Sequence, residues 1–147
     1  MKIGIIGSGI VGRVLATAFL KEGHQVMLGT RETSKDEVVK WHEENSNGKT
    51  GTFESTAKFG ELLVICTSGD VTENAIQLAG IDNFDNKVVI DTTNPISDLP
   101  PVNGVLQYFS RLDASQMEQL QKEFPAARFV KAFPGQQLVC CRSAMIW

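Results

Sequence analysis

The stretch KIGIIGSGIVGRVLATAFLKEG, Lys2 to Gly23, holds two different hydrophobic periods with a glycine-rich turn between them. Lys2 to Ile6 is a short β-branched run, which reads as a buried strand. After the turn Gly7-Ser8-Gly9-Ile10-Val11-Gly12, the residues Ile10, Val14 and Ala18 recur every fourth position, joined by Val11, Leu15 and Phe19. That spacing predicts a helix with a wide apolar face, and Gly23 is placed to cap its C-terminus.

The same grammar continues outward. Gln25 to Leu28 reads as a second strand. Ser34 and Glu37 have capping-box spacing, so a helix is expected to start there, carry Val38, Val39 and Trp41, and fade at Asn45-Ser46-Asn47-Gly48. Gly51 to Phe53 is a weak strand signal and Ser55 to Phe59 a short helix. Leu62 to Cys66 is an unbroken apolar run and the clearest central strand. A helix over Asp70 to Leu78, a strand over Lys87 to Ile90, a helix over Ser115 to Phe124 and a strand over Arg128 to Ala132 follow. Parallel neighbours need crossover helices, so this alternation predicts an α/β fold. The expected architecture is a Rossmann-type, doubly wound, mostly parallel sheet of about six strands.

Bulk properties exclude several classes. A length of 147 residues suits one domain, and 42% hydrophobic with 21% charged residues is unlike a disordered chain. A net charge of −3 gives no pull toward nucleic acid or an anionic membrane. No apolar run is long enough for a membrane span, and the N-terminal run is too short and glycine-broken for a signal peptide, so a cytoplasmic location is expected. The three cysteines, Cys66, Cys140 and Cys141, offer no disulfide framework and no zinc spacing. Cys66 reads as a small core residue, and a bond between adjacent Cys140 and Cys141 would be strained. His24 and His42 lack partners at metal-ligand spacing, and no Ser-His-Asp or Cys-His arrangement is evident.

In such sheets ligands bind where strands end, so chemistry is sought in the loops. A G-x-G-x-x-G sequence gains meaning when it follows a strand and opens a helix, as here. Gly7 permits a tight turn, Gly9 lets the backbone approach a pyrophosphate, and Gly12 lets the helix pack close to the strand. The helix N-terminus then offers N–H groups and a favourable dipole to phosphates. The bland alternative is a turn that binds nothing. About twenty residues on, where an acid often holds a ribose hydroxyl, the chain reads LGTRETSKD from Leu28 to Asp36. Thr30, Arg31 and Lys35 replace the acid, and a guanidinium matches a phosphate, so this loop points to NADP rather than NAD. Its alternative is a solvated helix start. Thr67-Ser68-Gly69-Asp70 and Thr92-Thr93-Asn94-Pro95 carry groups suited to orienting the cofactor's middle and its nicotinamide, or else are plain turn chemistry. Asp91 reads as a strand end that caps the following loop.

Together, the opening MKIGIIGSGIVGRVLATAFLKEGHQVMLGTR, the later VVIDTTNP and RFVKAF resemble the NADP-dependent coenzyme F-420 oxidoreductase family, over roughly residues 1 to 133. The resemblance implies an NADP-binding Rossmann domain over 1–133 and hydride exchange between NADP(H) and a deazaflavin, flavin or related acceptor bound at the strand ends. It implies that Gly7, Ser8, Gly9, Ile10 and Val11 hold the pyrophosphate. Thr30, Arg31 and Lys35 would hold the 2′-phosphate, and Thr67, Ser68, Asn94, Pro95 and Ala132 would approach the ribose and nicotinamide. No acid–base residue is implied, because proximity carries that chemistry. After Phe133 the chain departs from the family pattern, with Pro134 and Gly135 where Asn is usual. Residues 134–147 are therefore expected to be an atypical tail, either a natural short ending or a cut one. Its Leu138, Val139, Met145, Ile146 and Trp147 would suit a homodimer or partner surface. Two functions stay open at this point: an NADPH-dependent oxidoreductase domain and a non-catalytic NADP(H)-binding sensor or interaction module. A short-chain dehydrogenase is disfavoured, since Tyr108 is the only tyrosine and has no Tyr-x-x-x-Lys partner.

Overall fold

The opening run becomes β1, Lys2–Ile6, and lies inside the sheet. In the computed structural model, residues 1–96, 99, 102–103 and 115–133 are described. Chain order then gives α1 (Ile10–Lys21), β2 (Gln25–Thr30), α2 (Asp36–Glu44), β3 (Lys49–Thr52) and α3 (Phe53–Phe59). The second half gives β4 (Leu62–Ile65), α4 (Thr72–Ala79), β5 (Val88–Asp91), α5 (Gln116–Glu123) and β6 (Arg128–Lys131). Short 3-10 turns cover Gly69–Val71 and Ile81–Phe84.

The six strands form one sheet in the order β3-β2-β1-β4-β5-β6, and every pairing is parallel. The fold is therefore the doubly wound α/β sheet read from the sequence, parallel throughout rather than mostly so. Strand alternation sends side chains to two cores. Ile3, Ile5, Val26, Leu28 and Val64 pack with Ala16 and Leu20 of α1 and Trp41 of α2. Ile6, Leu63, Ile65, Val89 and Phe129 pack on the other face with residues of α3, α4 and α5, among them Ala57, Ile76 and Leu120. Both helical layers follow from the crossover rule, because each parallel neighbour is reached through a helix.

Several boundaries differ from the sequence reading. β2 runs on through Gly29 and Thr30, which pair with Gly51 and Thr52 of β3. β3 itself ends at Thr52, and Phe53 belongs to α3, because the Thr52 hydroxyl accepts the Ser55 N–H at 3.2 Å and starts the helix there. Ser34 does not cap α2. The cap is Lys35, without a side-chain bond, while Ser34 Oγ donates to Glu32 Oε1 at 3.0 Å. A hydroxyl caps a helix by accepting an N–H, whereas Ser34 is turned toward Glu32, and Asp36 and Glu37 in the first turn complement the helix dipole instead. The helix expected from Asp70 is split into the Gly69–Val71 turn and α4. β4 stops at Ile65, β5 runs to Asp91, and β6 stops at Lys131. At Ser115 a capping box does form, with Glu118 bonded to it reciprocally at 3.2 and 2.9 Å. Trp41, expected on this helix, is buried in the core with its indole N–H donating to Thr17 Oγ1 at 3.0 Å. Cys140, Cys141, Tyr108 and the tail 134–147 lie outside the described residues. Among the described residues, no helix is long and apolar enough to cross a membrane.

Two glycines fix the turn after β1. Gly7 has φ of 121°, a left-handed conformation, and a Cβ there would lie 2.7 Å from the Cys66 carbonyl oxygen. At Gly12, buried in α1, a Cβ would overlap the Gly7 carbonyl oxygen. The helix therefore sits on the strand at a distance only glycine allows. Gly12→Ala is expected to lower stability by about 1–3 kcal/mol, the usual cost of overpacking. Urea unfolding measures it, and an unchanged midpoint would mean that α1 can move outward without penalty.

Candidate functional site

Three loops meet at the carboxyl ends of β1, β2 and β4. Backbone bonds beyond the strands hold these ends together: Gly7 N–H donates to Gly29 O at 3.1 Å, and Cys66 N–H to Ile6 O at 2.8 Å. The sheet order reverses between β1 and β4, so this is the topological switch point. A cleft of about 240 Å³ opens there. Gly7, Ser8 and Gly9 line it from the first loop, Thr30, Arg31 and Lys35 from the second, and Thr67 and Ser68 from the third. Those are eight of the thirteen residues expected from the sequence, drawn from three separate stretches.

The first loop presents the N-terminus of α1. Its cap is Gly9, which makes no side-chain capping bond, and the first turn carries no acidic residue. The leading N–H groups of this 12-residue helix thus lack a side-chain acceptor, and the dipole favours an anion beside them. A Cβ built on Gly9 meets nothing within 4 Å, so the protein leaves the space beside this backbone open. Arg13 steadies the loop by donating from Nη1 to Ser8 O at 2.8 Å. Ile10, the first residue of α1, is 66% exposed and, like Val11, is not part of the cleft wall.

The second loop is braced from within. The Thr30 side chain is 2% exposed, and its hydroxyl accepts from Ser8 Oγ at 3.1 Å and from Glu32 N–H at 3.3 Å while donating to Glu32 O at 3.1 Å. Arg31 next to it is exposed, and Lys35 is half-buried at the head of α2. Among the described residues neither side chain makes a hydrogen bond or ion pair, so the cleft carries two positive groups on one wall. Glu37, one residue into the helix beyond Asp36, also lines it.

The third loop leaves β4 at Cys66. Thr67 Oγ1 lies 3.0 Å from Thr72 Oγ1, which donates to Ser68 O at 3.0 Å. These bonds tie the loop to the first turn of α4. Glu37, Phe53, Cys66, Val71, Asn74 and Ala75 also line the wall and were not expected there from the sequence. Phe53 and Ala75 are buried hydrophobic residues that also face the cleft. Cys66 was expected to be core and is half-buried at the wall.

Asn94, Pro95 and Ala132 are not in this cleft. They are half-buried and follow β5 and β6 along the same carboxyl edge. Asp91 does bond into the following loop, but it also faces Lys131. Among the described residues, no group of His, Cys, Asp and Glu is placed to hold a metal ion.

Over residues 2–95 the chain matches the family described as NADP oxidoreductase, coenzyme F420-dependent. No functionally curated protein matches it. A solved structure from Arthrobacter sp. FB24, described as a candidate F420-dependent NADP-reductase, is 31% identical with a TM-score of 0.80, over 89% of this chain and 61% of that one. A hypothetical protein of Sinorhizobium meliloti, SMa0349, is 16% identical with a TM-score of 0.69, over 90% of this chain and 60% of that one. A reductive aminase from Aspergillus terreus, in complex with NADPH and ethyl levulinate, is 20% identical with a TM-score of 0.61, over 88% of this chain and 39% of that one. The last two share the fold alone. The chain spans less than two thirds of the length of each of these proteins.

The bracing of the second loop has a measurable consequence. Thr30→Val keeps the shape but leaves Ser8 Oγ and Glu32 N–H without their acceptor. Stability should fall by about 0.5–1.5 kcal/mol, the net worth of a typical hydrogen bond, because Ser8 and Glu32 can reach water. Thermal unfolding checks it, and an unaltered transition would show that water replaces the hydroxyl.

Proposed function

The chain belongs to the coenzyme F420-dependent NADP oxidoreductase family, and on that premise we propose that its cleft binds NADP(H) and presents the nicotinamide to a deazaflavin, flavin or related hydride acceptor. The observation that carries the reading is the meeting, in one cleft at the switch point, of the α1 N-terminus with Arg31 and Lys35. The pyrophosphate would lie on the Gly7-Ser8-Gly9 turn and the leading N–H groups of Ile10 and Val11. The 2′-phosphate would lie against Arg31 and Lys35, since a guanidinium gives a phosphate two parallel bonds and a fixed charge. Thr30 serves it by holding the loop that carries Arg31. Thr67 and Ser68 would face the middle of the dinucleotide, and Asn94, Pro95 and Ala132 its nicotinamide end.

The residues fit the group. The open face of Gly9 is the space that a pyrophosphate needs. Bound NADPH supplies the hydride. The protein's part is to fix the position of the ring and to leave one face accessible, which needs no general acid or base.

The alternative is a binding module without turnover. Absorbance at the reduced nicotinamide band, followed with coenzyme F-420 or a flavin present, separates the two. Oxidation supports the oxidoreductase, and tight binding without oxidation supports the module.

Two substitutions test the site. Arg31→Ala should weaken NADPH binding by about 1.5–3 kcal/mol, the range for a hydrogen bond to a charged group, and leave NADH binding nearly unchanged. Equal losses in calorimetric titration would remove Arg31 from the 2′-phosphate. Gly9→Val should keep the fold, because its new side chain starts in open space, yet abolish binding of both nucleotides. Retained binding in a folded variant would refute the close backbone approach.

A further inference from the structure

Among the described residues, Asp91 is the one charged side chain that is completely buried. It stands at the carboxyl end of β5, in register with Lys131 of β6. Its Oδ2 accepts from Lys131 Nζ at 2.9 Å. Its Oδ1 accepts from both Thr93 N–H at 2.9 Å and Thr93 Oγ1 at 2.7 Å. Lys131 Nζ also donates to the Thr93 carbonyl. Ala132 N–H closes the same rung by donating to Asp91 O at 2.9 Å. Further along, Thr93 Oγ1 lies 3.3 Å from Gln116 Oε1, and Gln116 Nε2 donates to Gly69 O at 2.6 Å. The carboxylate thus ties the loop after β5 to the end of β6, and Gln116 continues the network to the loop after β4.

Such a pair is an uneconomical way to hold a sheet together. Burying the Asp91 carboxylate and most of the Lys131 side chain costs desolvation that an apolar pair of similar volume avoids. What the pair adds is geometry, since four bonds join Asp91, Thr93 and Lys131 and fix the loop residue among them, Thr93, against the ends of β5 and β6. Those residues lie where the far end of a dinucleotide must come. Arg31 and Lys35 mark one end beside β2, and the α1 N-terminus lies over β1. The strand order β2-β1-β4-β5-β6 then sends the remainder across β4 toward β5 and β6.

We propose that Asp91 and Lys131 are positioning residues that set the Thr93-Asn94 and Ala132 backbone against the nicotinamide, and so fix which way the ring is presented. The assignment rests on the NADP(H) reading above. Lys131 is suited to it because its side chain is 27% exposed while its Nζ holds both the buried carboxylate and the Thr93 carbonyl.

Adenosine 2′,5′-bisphosphate separates a local role from a general one, because it fills only the Arg31 end. Three full-length variants are compared with the parent chain by titration: Lys131→Met, the charge-free double variant Asp91→Asn with Lys131→Gln, and Lys131→Arg. The double variant leaves no unpaired buried charge, which guards against simple unfolding, and circular dichroism confirms that each protein is folded. NADPH affinity should fall about tenfold in Lys131→Met and in the double variant. Affinity for adenosine 2′,5′-bisphosphate should stay within about twofold, and Lys131→Arg should recover most of the NADPH affinity. Parallel losses for both ligands in a folded variant, or no loss for either, would overturn the assignment. If the parent chain bound neither ligand, the NADP(H) reading itself would fall, and that outcome is visible before any variant is made.

Discussion

The contact between Gly12 and the Gly7 carbonyl is the constraint on which the rest depends. It sets how near α1 comes to β1, and that distance decides where the helix N-terminus points. With a side chain at Gly12 the helix would stand off, and the first loop could not share a wall with the second and third. The left-handed backbone at Gly7 belongs to the same device, since it aims the chain from the strand into the helix while passing close to Cys66. Dipole, open backbone and cleft are consequences of one close approach.

The carboxyl edge is organised as two differently built halves. On the β2–β1–β4 side, hydroxyl groups brace the loops and leave two cations facing the cleft. On the β5–β6 side, a buried ion pair with Thr93 and Gln116 does the bracing. Hydroxyl bridges are inexpensive and adaptable. The ion pair is costly and rigid, and it loses most when its geometry is disturbed. A rigid half suits an orienting task, and the half with exposed cations suits capture of a charged group.

Much of this was legible in sequence because it depends on local order. Strand, glycine turn and helix at Lys2–Gly23 announce themselves through period alone, and Thr30, Arg31 and Lys35 stand out because an acid is expected in their place. The errors were also local. Ser34 had the right spacing for a cap, but Glu32 offered its hydroxyl a charged acceptor outside the helix. Thr52 capped α3 unnoticed, because the strand before it is short and polar and gave little pattern to anchor the boundary. Asp91 was read as a loop cap, which is half of its role. Its ion-pair partner lies 40 residues away, beyond the reach of any spacing argument.

The sequence by itself determined the alternation of strands and helices, the glycine-rich turn and the basic character of the second loop. These are properties of neighbours along the chain, set by side-chain period and by the absence of a Cβ. Tertiary structure alone decided the strand order, the membership of Phe53, Cys66 and Asn74 in the cleft wall, and the joining of Asp91 to Lys131. Those depend on which strands become neighbours after the chain reverses its winding at β1 and β4. That choice is made by the burial of both sheet faces together, and no single segment encodes it.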